Sequence, residues 1–208
     1  TFCISIVLTM AMYWYDQYTY YFTDEYAEDS MSQCQEGSNI AVINIHGSIY
    51  TYTYPVDPSS LDGSDPSSYD IVSSEDITGY INEIDANDSI KGVIIEIDSS
   101  GGSPVGSEEI MNAIKNMEKP TVAVIREIGA SGAYLIASGA DRIYASEMSD
   151  VGSIGVTMSY LDYSQQNTKE GITYQQLSSG KFKNTGDPDK VLTAEEKDLL
   201  MRDVKITY

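Results

Sequence analysis

The chain of 208 residues carries 12 basic and 32 acidic residues, a formal net charge of −20 at pH 7. Nucleic acids are bound by clusters of Lys and Arg, so this charge balance argues against a nucleic-acid partner. There are two cysteines, no Cys-x-x-Cys pair and a single histidine, His46. A zinc site built from His and Cys is therefore not expected, and no other metal or cofactor is predicted.

The chain begins with an uncharged, apolar and aromatic segment, residues 2–15, which ends before Asp16. This segment is shorter than the roughly 20 residues that span a bilayer. It is interpreted as the end of a truncated membrane anchor, the core of a signal peptide or a buried helix. The aromatic residues 13–15 followed by acids favour the anchor, with the remainder on the extracytoplasmic side of a cell membrane.

Strand and helix patterns alternate along the chain after residues 16–38, a polar segment predicted to be a juxtamembrane linker. Strands are predicted at 39–45, 91–97, 121–125, 141–145 and 173–177, and a glycine-rich turn at 150–156 leads into a further strand. Helices are predicted at 76–86, 108–118, 133–138, 160–169 and from Thr193, where Thr193 and Glu196 fit a capping box. Residues 50–74 are predicted as a surface loop. The alternation predicts an α/β fold with a mainly parallel sheet.

A serine stands where an apolar strand gives way to a helix of small residues. Gly129-Ala-Ser-Gly-Ala133 predicts a tight turn that presents the hydroxyl of Ser131 at the helix N-terminus. The glycines of Gly101-Gly102 follow the preceding strand. Loops at the carboxyl ends of parallel strands form the sites of such folds, so both segments are expected at one site.

A nucleophilic serine needs a base, and two kinds are available. His46 ends the first predicted strand, but no aspartate can be assigned to orient it. A lysine can serve if a desolvated pocket keeps it neutral. Most lysines stand beside acidic residues and are expected to be solvated. Lys181 and Lys183 flank Phe182 on a predicted turn with no adjacent acid.

Four segments in order resemble the signal peptide peptidase A family of Ser–Lys peptidases. They are Ser99-Ser-Gly-Gly102, the run from Gly129 to Ala145, Gly152-Ser-Ile-Gly-Val156 and Ser179-Gly-Lys-Phe-Lys183. The resemblance covers roughly residues 39–203. It implies the Clp/crotonase superfold, with repeated ββα units, a parallel sheet and a preceding anchor helix. It also implies that residues 39–208 form a peptidase domain lacking its last helices.

The resemblance assigns a role to each matching residue. Ser131 corresponds to the nucleophile, Lys183 to the base and Ser153 to the hydroxyl that orients the lysine. Gly102 and Gly132 correspond to the oxyanion hole. The family commonly has Ser-Pro-Gly-Gly where this chain has serine at position 100, which is expected to loosen the turn.

The expected function is therefore a membrane-anchored serine endopeptidase that cleaves remnant signal peptides and works as a homo-oligomeric ring. Two alternatives share the fold. One is a crotonase-like acyl-CoA enzyme, disfavoured by the acidic surface. The other is a catalytically silent scaffold that binds membrane proteins.

Overall fold

The structure is a computed structural model that describes residues 39–53 and 71–208. The predicted anchor (residues 1–15) and linker (residues 16–38) lie outside the described residues. Within the described ranges, no helix combines the length and the apolar character needed to cross a bilayer. The chain divides into two compact units at Gly152 and Ser153, and each unit is described by itself.

The first unit is built on one sheet whose strand pairs are all parallel. The main path of the sheet has the order β2-β1-β3-β4-β5, and β6 also pairs with β4. The strands are β1 (Ile40–Tyr50), β2 (Ile71–Ser73), β3 (Gly92–Gly102), β4 (Thr121–Ala130), β5 (Arg142–Ala145) and β6 (Asp150–Gly152). The predicted α/β fold with a mainly parallel sheet is confirmed.

Three helices of this unit pack on one face of the sheet. They are α1 (Ser74–Ala86), α2 (Pro104–Lys115) and α3 (Gly132–Ala137). Alternate strand residues share a core with the helices because strand side chains point to opposite faces in turn. The core includes Ile43, Ile45, Ile95, Ile97, Ala123, Ile125, Ile81, Ile110, Ile114 and Ile136.

The long strands continue beyond the apolar runs that predicted them. β3 runs through Gly102, beyond its predicted end at residue 97, with a register shift between Ile97 and Ser99. Its last two residues, where Gly101 has φ 99°, are called the Gly101–Gly102 turn. Helix α2 starts earlier than predicted. Its N-cap is Ser103, whose hydroxyl accepts from the Gly106 N–H, and Pro104 occupies its first turn. Proline suits that position because the first turn needs no N–H donor.

The second unit, residues 153–208, contains helices α4 (Ser164–Lys169) and α5 (Ala194–Thr207). The predicted capping box at Thr193 and Glu196 is confirmed. The predicted strand at 173–177 is wrong, as is the strand expected after the glycine-rich turn at 150–156. Both stretches are irregular, and Leu177 is 98% exposed. A strand needs a neighbour for its backbone hydrogen bonds, and no strand lies between Ser153 and Tyr208.

Candidate active site

Ser131 occupies the single position between β4 and α3. Its backbone has φ 52° and ψ −121°, a conformation that L residues rarely adopt. The Ser131 N–H donates to the Gly152 carbonyl at 2.9 Å, and the Ser131 carbonyl accepts from the Leu135 N–H at 3.1 Å. Its side chain makes no capping bond and is exposed. The backbone thus fixes the turn and leaves the hydroxyl open to a substrate.

Positive φ angles single out two serines. Among the described residues, Ser131 (φ 52°) and Ser153 (φ 50°) are the only residues other than glycine with positive φ. Such conformations cost of order 1–3 kcal/mol each and concentrate at functional sites. Both serines were assigned site roles from the sequence. Ser153 belongs to the second unit, between Gly152 (φ 134°) and Gly155 (φ 135°).

Three glycines lie tightly packed around the Ser131 turn. A Cβ on Gly101 would stand 2.8 Å from the Gly132 nitrogen and 3.1 Å from the Ser131 Cβ. A Cβ on Gly132 would stand 3.5 Å from the Gly102 nitrogen. The structure therefore brings Gly102, Gly132 and Ser131 together. The Gly132 N–H belongs to the first helical turn, so it has no acceptor within its helix.

Two buried serines beside these glycines were not predicted. The Ser99 hydroxyl donates to the Gly47 carbonyl at 2.6 Å and accepts from the Gly101 N–H at 3.0 Å. Ser107 is fully buried on α2, and its hydroxyl has no hydrogen-bond partner among the residues that the structure describes. Ser99 stands in the quoted Ser-Ser-Gly-Gly segment. Its partner Gly47 is 52 residues away, so sequence spacing carries no signal for this contact.

The second unit distinguishes the two candidate lysines. Lys181 pairs with Glu195 at 2.5 Å, and its ammonium lies 5.3 Å from the centre of the Phe182 ring. Lys183 is exposed and makes no ion pair within residues 39–53 and 71–208. Neither lysine has an acid adjacent in sequence, but the fold brings Glu195 to Lys181. The Lys181 ammonium is thus engaged by Glu195, whereas the Lys183 ammonium has no such partner among the described residues.

Glu196 is a buried carboxylate in the second unit. It pairs with Lys190 and accepts hydrogen bonds from the N–H and hydroxyl of Thr193. The hydrogen bond from Lys190, followed by that from the Thr193 backbone, lowers the pKa of Glu196 from 4.5 to about 2. Glu196 is therefore ionised at neutral pH, and its role is structural.

His46 lies on the sheet face opposite the helices. Its Nε2 is 3.2 Å from Glu96 Oε1, without hydrogen-bond geometry, and Arg126 donates to the same oxygen at 2.9 Å. Three neighbouring strands thus contribute one polar cluster. The contacts of His46 are with Glu96, and none with Ser131 is present among the described residues.

An open groove of about 690 Å³ follows the same sheet face along β4 and β5. Its walls combine charged and apolar side chains: Asp98, Val124, Arg126, Glu127, Tyr144 and Met148. The size falls within the range of ligand-binding clefts. The groove lies on β4, the strand that precedes Ser131.

Comparisons with known proteins agree with these segments. Residues 113–208 match the model of peptidase family S49. A relative from Methanocaldococcus jannaschii, named as a protease, is 36% identical over 139 residues, which cover 64% of this chain and 45% of that protein. A relative from Enterococcus faecium, named as a signal peptide peptidase SppA, is 28% identical over 192 residues, covering 91% and 53%. The chain therefore spans about half the length of these relatives.

One solved structure similar to this chain is that of an enoyl-CoA hydratase/isomerase family member. Its TM-score is 0.41 at 18% identity, covering 66% of this chain and 51% of that one. The family match includes Ser131, Ser153 and Lys183, while Gly102 precedes it. The resemblance to the signal peptide peptidase A family found in the sequence is confirmed.

Proposed function

Because residues 113–208 match the model of peptidase family S49, we propose that this chain is a serine endopeptidase with a Ser131–Lys183 dyad. One observation carries the proposal. Ser131 has a strained backbone, an exposed hydroxyl and direct packing against Gly101 and Gly132. Such a turn presents a nucleophile and two backbone N–H groups to the same carbonyl.

Lys183 acts as the base in this proposal. It takes the Ser131 proton as the serine oxygen attacks the peptide carbonyl, and Ser153 orients its amine. General-base catalysis by a lysine requires a neutral amine. The absence of an ion pair at Lys183 among the described residues supports this choice over Lys181, which is bound to Glu195.

The negative charge that develops on the carbonyl oxygen is stabilised by the N–H groups of Gly102 and Gly132. Oxyanion stabilisation by such donors is typically the largest single catalytic effect in acyl transfer. Lys183 then returns the proton to the leaving amine, and water hydrolyses the acyl-serine. The proposed steps use side chains and backbone groups of this chain together with water, and they call for no cofactor.

The substrates proposed are extended, apolar peptides near a membrane, such as remnant signal peptides. They bind by adding a strand beside the site. Residues 2–15 would anchor the protein in the cell membrane, with the catalytic part on the extracytoplasmic face. The full-length protein would form a homo-oligomeric ring of the Clp/crotonase type.

Hydrolysis of an internally quenched apolar peptide by the full chain tests the proposal. Ser131→Ala and Lys183→Ala are each expected to abolish turnover, whereas Lys181→Ala is expected to retain it. Full turnover by Ser131→Ala or Lys183→Ala would contradict the assignment of the Ser131–Lys183 dyad. A wild-type chain that neither cleaves peptides nor reacts with a serine-directed probe would instead indicate a silent scaffold.

A further inference from the structure

Ser99 sits where three strands of the sheet meet. Ser99 pairs with Gly129 of β4, which lies two positions before Ser131, and Ser99 is 1% exposed. The hydroxyl donates to the Gly47 carbonyl of β1 at 2.6 Å. The same oxygen accepts from the Gly101 N–H at 3.0 Å. One side chain thus ties β1 to the turn at the end of β3.

The tied turn is the one that carries a proposed oxyanion donor. Gly101 has φ 99°, and a Cβ placed on it would fall within 3.1 Å of both the Gly132 nitrogen and the Ser131 Cβ. Gly102 follows directly. A rotation of the peptide that joins Gly101 and Gly102 would therefore change the direction of the Gly102 N–H. It would also change how Gly101 packs against Ser131.

Two glycines in succession leave a turn with more backbone freedom than other residues would. Position 100 is an exposed serine, which lacks the ring with which a proline would fix the backbone φ angle. The buried Ser99 hydroxyl can restrain the turn in place of a proline ring, because it bonds to both the Gly47 carbonyl and the Gly101 N–H. Breaking these two hydrogen bonds would leave both backbone groups without that partner. The loosening expected from the lack of proline at position 100 is opposed by these two hydrogen bonds.

We propose that Ser99 is a positioning residue that holds the Gly101–Gly102 turn in the orientation needed to stabilise the oxyanion. This inference rests on the proposed peptidase function. Ser99 itself does not touch substrate. It acts through Gly101, so its loss affects the transition state more than the binding of the substrate.

Ser99→Ala in the full chain is the direct test, with kcat and KM measured on a cleavable peptide. Removing an oxyanion donor outright typically costs about 100-fold or more in kcat, so misorienting one is expected to cost roughly 10-fold or more. KM is expected to stay within about 3-fold of wild type. Affinity for a peptide aldehyde, whose adduct carries an oxyanion, should fall by the same factor as kcat.

Ser73 offers a matched structural control. It is also a buried serine, and its hydroxyl donates to the Thr51 carbonyl and accepts from the Asp76 N–H. Ser73→Ala removes two hydrogen bonds of the same kind, which are longer at 3.5 and 3.3 Å, without touching the Gly101 turn. It is therefore expected to lower the melting temperature and leave kcat unchanged. Ser100→Ala, at the exposed neighbour, is expected to leave both unchanged.

Ser99→Cys provides a second route if Ser99→Ala does not fold. The thiol has a similar shape and bonds weakly, so its kcat is expected to lie clearly below wild type. Wild-type kcat and aldehyde affinity in a folded Ser99 variant would overturn the inference. An equal loss of kcat in Ser73→Ala would also overturn it, since the effect would then be general destabilisation. If the wild-type chain does not cleave peptides, the proposed function itself fails.

Discussion

The Cα of Gly132 packs directly against the hydroxyl of Ser107. A Cβ added to Gly132 would stand 2.3 Å from the Ser107 Oγ and 3.1 Å from its Cβ. Ser107 lies on α2 and Gly132 begins α3, so this contact sets how closely the two helices approach beside Ser131. The small size of both residues is therefore a condition for the geometry of the proposed oxyanion hole.

Gly132→Ala is expected to lower both stability and peptidase activity. The added methyl group must displace a buried side chain, and overpacking of this kind typically costs about 1–3 kcal/mol. Urea unfolding and kcat measure the two effects. Adding Ser107→Gly removes both atoms that the methyl group would meet, so the double variant should recover part of the loss. A Gly132→Ala protein with wild-type stability and kcat would contradict the packing described here.

Gly101→Ala is expected to be more harmful than an ordinary glycine substitution. The backbone at φ 99° disfavours any side chain, and the Cβ would meet backbone atoms at 2.8 and 2.9 Å. A loss of about 2 kcal/mol or more in unfolding free energy is expected, with peptidase activity abolished. Gly79→Ala is the control, because nothing lies within 4 Å of its Cβ position on α1. It should raise stability by about 0.5–1 kcal/mol.

Replacing Lys181 or Lys183 by alanine should affect kcat very differently. Lys181→Ala removes an exposed ion pair with Glu195, and exposed pairs contribute only about 0–1 kcal/mol. It should therefore leave kcat close to wild type, while Lys183→Ala should lose activity by orders of magnitude. Steady-state kinetics on both variants, with Glu195→Gln as a further check, decide the matter. A large loss of kcat in Lys181→Ala alone would move the base to that residue.

Acid should destabilise the second unit through Glu196. Its pKa is lowered to about 2 in the folded protein, from an ordinary value of 4.5. The ionised carboxylate therefore contributes stability above pH 4.5, and that contribution is lost as the pH falls toward 2.

Glu196→Gln should show a smaller decline of unfolding free energy across this pH range than the wild type does. Denaturant unfolding at a series of pH values measures the difference. Glu195→Gln removes the same charge from an exposed neighbouring side chain and serves as the control. Parallel acid profiles for wild type and Glu196→Gln would show that Glu196 is not the group responsible.

The sheet and its helices were predictable wherever local pattern and tertiary structure agree. Apolar runs gave the centres of β1, β3 and β4, and the capping residues of α5 gave its start. The carboxyl ends of β3 and β4 were missed because glycine, serine and charged residues have low strand propensity. Pairing with the neighbouring strands holds these ends extended, and pairing is not visible in a local window.

The candidate site divides in the same way. The order of the motifs was enough to predict that Ser131, Gly102 and Gly132 lie close together, since the carboxyl ends of adjacent parallel strands meet at one edge of the sheet. The supporting contacts of Ser99 with Gly47 and of Lys181 with Glu195 depend on register and on long-range packing. The strand predicted at 173–177 failed because its pattern requires a neighbouring strand that residues 153–208 do not contain.

The identity of the residue that reacts with a fluorophosphonate probe tests the central claim most directly. The full chain is treated with the probe, and the modified residue is located by peptide mass spectrometry. The account predicts an adduct on Ser131 that is absent in Ser131→Ala and forms far more slowly in Lys183→Ala. An adduct on another residue, or peptide cleavage that persists while Ser131 remains unmodified, would contradict it.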